Sequence, residues 1–143
     1  MTPTEDTPLR KAVVTMITRR AGFSADATVV AAAARRAHED LAAALVPLIS
    51  QAGVDTLVAR ALHLAAKEYP WGVARNEKPA EPFGRVSLWL EGQDQTVATD
   101  AAAAIFTRFA TLLATLIGEP LTTHYLRKAW PDGFADSSEG IQA

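Results

Sequence analysis

Three groups of side chains have types and spacings that could carry chemistry. His38, Glu39 and Asp40 are consecutive, an imidazole beside two carboxylates. That pairing can make a histidine a base or a nucleophile. Arg60, His63 and Lys67 recur at i, i+3 and i+7, so on a helix they share one face and offer donors to an anion. The plainer role for that face is solvation, opposite a stripe of Leu57, Ala61 and Leu64. His124, Arg127 and Lys128 form a similar group, and positive charge in a helix's closing turn stabilises the helix itself. Metal chemistry finds no support. The histidines are 25 and 61 positions apart, cysteine is absent, and neither His-Glu-x-x-His nor Glu-x-x-His occurs. No glycine-rich phosphate loop is present either. The sequence therefore leads us to expect no catalytic residue set, no metal and no cofactor.

His38-Glu39-Asp40 resembles, over two or three residues, the core of the phosphoacceptor box of two-component histidine kinases. The resemblance implies that the His38 imidazole accepts a phosphoryl group, with the acidic neighbour orienting it. Two features depart from that family. The proline usually found soon after the box is displaced here to Pro47, and no ATP-binding region follows. A second short stretch, Arg19, Arg20 and Gly22-Phe23, resembles the opening of bacterial helical repressors. That family continues with a short helix, a turn and a recognition helix; this chain continues with a long alanine-rich helix. Fourteen basic against sixteen acidic residues give a net charge of −2, which excludes a generally basic nucleic-acid binder. Nucleic acid is not an expected partner.

The aromatic residues are unevenly placed. Tyr69, Trp71, Phe83 and Trp89 lie in or beside one irregular stretch, 69–84, which also holds Pro70, Pro79, Pro82 and Gly72. They can anchor that stretch to a core, or they can form a lid or contact surface, since irregular segments on rigid scaffolds often carry binding. On the second reading Tyr69, Trp71 and Trp89 are ligand or partner contacts, with Arg75 and Arg85 at the rim. Residues 69–90 would then cover a pocket between helices for a small apolar or anionic ligand.

What must position these groups is a set of helices. Alanine, the strongest helix former, occurs 29 times. Thr7, Pro8 and Gly22 bracket a first helix over 8–21, with Leu9, Val13, Met16 and Ile17 as its apolar stripe. A long second helix should run from Asp26 to Gln51, capped by Ser24 or Asp26 and stopped by Gly53. Its seam is Val30, Ala34, Ala37, Leu41, Ala44 and Leu48. A third helix follows over 54–68, and residues 85–91 read as a short helix, because a lone strand has no pairing partner. A helix over 96–117 repeats the seam spacing with Ala98, Ala102, Ile105, Phe109, Leu112 and Leu116. Leu121 to Trp130 closes the set.

These elements predict an all-α, single-domain helical bundle of five to six helices, with two long central antiparallel helices. Residues 1–131 would form the bundle and 132–143 a flexible C-terminal tail. The stretch 101–117 is interrupted by Arg108 and falls short of the roughly 20 apolar residues of a bilayer span, so the expected location is cytoplasmic. Ten arginines against four lysines, with so much alanine, suggest a bacterial source. Leu45, Ile49, Phe106, Leu113 and Ile117 exceed what one seam uses, which favours a homodimer or a protein partner. The expected function is that of a non-enzymatic regulatory, adaptor or oligomerisation module. A small-ligand sensor and histidine phosphotransfer through His38 are the alternatives.

Overall fold

Pro8 cannot donate a backbone bond and starts a helix at no cost, and Gly22 stops it at φ +95°, a conformation that side chains resist. Between them lies α1, Pro8–Ala21, as the sequence predicts. The computed structural model describes residues 8–22, 26–69, 82–131 and 133, the side chains of 82–85 excepted. Its other helices are α2 (Ala27–Ala65), α3 (Pro82–Glu91), α4 (Gln95–Ile117) and α5 (Glu119–Ala129). Among the described residues there is no strand, so the protein is all-α.

Both long helices open on an aspartate. Asp26 accepts the Val29 N–H at 3.1 Å and Asp94 accepts the Val97 N–H at 3.0 Å, each satisfying a donor that the first turn leaves without an intrahelical partner. α2 absorbs what the sequence reads as two helices, and it is broken. Ser50 sits at φ 74°, ψ 164°, and its Oγ accepts the Gly53 N–H at 3.1 Å. Ser50 therefore caps a second arm, 51–65, three residues before the glycine expected to mark the stop. Residues 85–91, predicted as helical, lie in α3, which begins earlier, at Pro82.

The seams hold for most of their length and then drift. Val30, Ala34, Ala37 and Leu41 are buried, as are Ala98, Ala102, Ile105 and Phe109. At the C-terminal ends Leu45 and Leu113 are fully buried instead, while Leu48 is 41% and Leu116 is 62% exposed; Leu112 is half-buried. A strict four–three repeat averages 3.5 residues per turn against the helix's 3.6, and it slides by about 20° per heptad. Straight helices thus carry the last seam residue out of the core. α2 packs on each of the other four helices, and α4 does the same. Of the thirty-two buried apolar residues described, fourteen are alanines, which lets helix backbones approach closely.

By length and composition alone, α2 and α4 each qualify as a membrane span, which the sequence reading did not find. Half of the most apolar part of α4 is buried against protein, however, and α2 is interrupted at Ser50.

Candidate functional site

α2 unwinds at its end through a short turn, with the Tyr69 N–H still bonded to the Ala65 carbonyl at 3.1 Å. This places the Tyr69 ring against Trp89 of α3, edge to face, with centroids 6.0 Å apart and planes at 70°. Charged groups lie beside Tyr69. Arg10 of α1 hydrogen-bonds the Tyr69 side chain and lies 3.9 Å from Asp100 of α4. Beside Tyr69, Glu68 accepts a bond from Arg108 of α4 at 3.2 Å. Burial, and then the negative charges of Asp100 and Glu68, hold the Tyr69 phenol above its ordinary value, outweighing the opposite pull of Arg10.

Two of the aromatic residues singled out in the sequence are therefore together in space. Trp71 and Arg75 lie outside the described residues, and so does the side chain of Arg85. The frame of Arg10, Glu68, Asp100 and Arg108 was missed. The site combines aromatic edges with paired charges of both signs, which suits recognition of a ligand or partner surface. Among the described residues no group of three histidines or carboxylates is disposed to hold a metal ion.

His38 occupies a different place. It lines a cavity of about 10 Å³ together with Leu41, Val54, Val58, Ile105, Phe106 and Phe109, and its Nε2 is buried. The cavity has room for one water molecule at most, far below the roughly 300–1,000 Å³ of small-molecule pockets. A phosphoryl group on Nε2 would bring nearly two negative charges against a wall of leucine, valine and phenylalanine. The phosphoacceptor reading asks for an exposed imidazole, and this one is half-buried at the core's edge.

The two basic groups behave as surface. Arg60 and His63 are exposed on the second arm of α2 and Lys67 in the turn that follows it, and His124, Arg127 and Lys128 are exposed on α5. Arg20, noted in the sequence only as a basic residue before a turn, is committed internally. Its Nη1 donates to Asp40 at 2.8 Å and its Nη2 to the Ala129 carbonyl at 3.2 Å, beside an open groove lined by Ala43, Ala44, Pro47 and Pro131. The signal for this role was absent, because its partners stand 20 and 109 positions away. Compared with protein-family models, curated proteins and solved structures, the chain matches none.

Proposed function

We propose that this protein is a non-enzymatic helical module that works by association, as a regulatory, adaptor or oligomerisation unit in a bacterial cytoplasm. Its core would be a single bundle with α2 and α4 as the central antiparallel pair. The observation that carries the reading is the fate of the two seams. The first arm of α2, before Ser50, and α4 each end by presenting a leucine outward, Leu48 at 41% and Leu116 at 62% exposure, while Leu45 and Leu113 complete the core one turn away. Large apolar side chains at the ends of rigid helices are what a second copy or a partner helix can cover, and a two-fold contact needs only one self-complementary patch.

Light scattering at tens of micromolar tests this. The wild type should show a dimeric mass, and Leu116→Glu or Leu48→Glu should return it to the monomer with the helical spectrum unchanged. A monomeric wild type overturns self-association. If both glutamate variants remain dimeric, the contact lies elsewhere.

A second reading is supported by the Tyr69–Trp89 pair, whose ring edges and alternating charges suit a small apolar or anionic ligand. Such a ligand would sit against Tyr69, Trp89 and Arg10, since the cavity beside His38 is too small. Mass analysis of small molecules that co-purify with the protein, repeated with Trp89→Ala, distinguishes a sensor from an adaptor.

A further inference from the structure

Several contacts converge where α5 ends. Trp130 follows the last residue of α5 and has no exposed surface. Its indole Nε1 donates to the Ala37 carbonyl of α2 at 2.9 Å, which satisfies a donor that would otherwise be costly to bury. Its ring meets Phe106 of α4 edge to face, with centroids 5.2 Å apart. Three residues on, the Gly133 N–H donates back to the Trp130 carbonyl at 3.1 Å, and the Gly133 backbone rests directly on α1. A Cβ at Gly133 would stand 2.5 Å from the Ala12 carbonyl oxygen and 2.7 Å from the Met16 Cβ, so no larger residue fits without movement. α1 reaches back through Arg20, which bonds the Ala129 carbonyl.

The first described helix is thus held by the last described residues. The attachments differ in strength. Trp130 is anchored in the core by α2 and α4, whereas Gly133 meets α1 through the close approach of its backbone. α1 itself contributes only Val13, Met16 and Ile17 as buried side chains, far fewer than α2 or α4, so its share of the core is the smaller and its opening the cheaper.

We propose that Trp130, Pro131 and Gly133 form a clasp that keeps α1 closed on the remaining helices. α1 opens as one unit away from Gly133, while Trp130 stays packed on α2 and α4. Opening bares Met16 and Ile17 and the side of α2 and α4 they cover, so the clasp sets whether that apolar face is available to a partner. Any strain applied to the chain at Gly133 is transmitted to α1.

Hydrogen exchange read by mass spectrometry tests the clasp in the full chain. Gly133→Ala should accelerate exchange of the α1 amides by about tenfold or more, while the amides of α4 and of the α5 end keep their wild-type rates. Unchanged α1 exchange overturns the proposal. So does an acceleration spread evenly over α1, α2 and α4, which would mean that no separate unit opens. Should Gly133→Ala fail to fold, the wild type decides in sub-denaturing urea. α1 should then show an opening that is more frequent and less urea-dependent than that of α4. A single urea dependence common to α1 and α4 overturns the clasp.

Discussion

The phenol of Tyr69 is held above its ordinary value of 10.0 by burial and by the negative charges of Asp100 and Glu68. The folded state therefore favours the neutral phenol more than the unfolded chain does. That preference stabilises the fold fully below pH 10.0 and is lost as the pH rises through the folded-state value. Tyr69→Phe removes the titrating group and keeps the ring against Trp89. Urea midpoints measured on either side of pH 10.0 should fall with pH more steeply in the wild type than in Tyr69→Phe. Parallel profiles would show that the phenol titrates alike in both states. Tyr69 and Trp89 were visible in the sequence because aromatics crowd around one irregular stretch. Their charged frame was not, because Arg10 pairs with Asp100 and Arg108 with Glu68 across helices that only the fold brings together. Trp130 was read only as the last residue of a helix that Pro131 ends. Nothing in its local spacing shows that its ring turns inward to Ala37 and Phe106.

Ser50 sets the geometry of α2. At φ 74°, ψ 164° it occupies a region that glycine alone enters freely, at a cost of about 1–3 kcal/mol for other residues. Its hydroxyl bond to the Gly53 N–H offsets part of that cost. As an N-cap, serine exceeds glycine by only a few tenths of a kcal/mol and exceeds alanine by about 1 kcal/mol. Ser50→Gly should therefore stabilise the protein by about 1 kcal/mol, while Ser50→Ala should destabilise it by a similar amount, both read from urea midpoints. A loss in Ser50→Gly would mean that the hydroxyl matters more than the strain. Periodicity located the long helices with their apolar faces, and Pro8 and Gly22 marked the ends of α1. It misplaced the break in α2, because Pro47 and Gly53 are louder signals than a serine whose backbone is bent by what surrounds it. It also carried the seams one turn too far, to Leu48 and Leu116, since a counted repeat ignores the small mismatch between 3.5 and 3.6 residues per turn.

For the molecule as a whole, the supply of alanine has a thermal consequence. Fourteen of its thirty-two described buried apolar residues are alanines, each removing one methyl group from water where a leucine removes four carbons. Unfolding then exposes less apolar surface for each residue released. Apolar exposure raises the heat capacity and polar exposure lowers it, for an average near 12–15 cal/mol/K per residue. Scanning calorimetry should give this chain a heat-capacity increment below that average, and a value above it would mean that unfolding exposes more apolar surface than the alanine content allows. With a small increment the free energy of unfolding bends little with temperature. The stability curve becomes broad and shallow, and cooling erodes the fold less than it would in a protein whose core is built from leucine and phenylalanine.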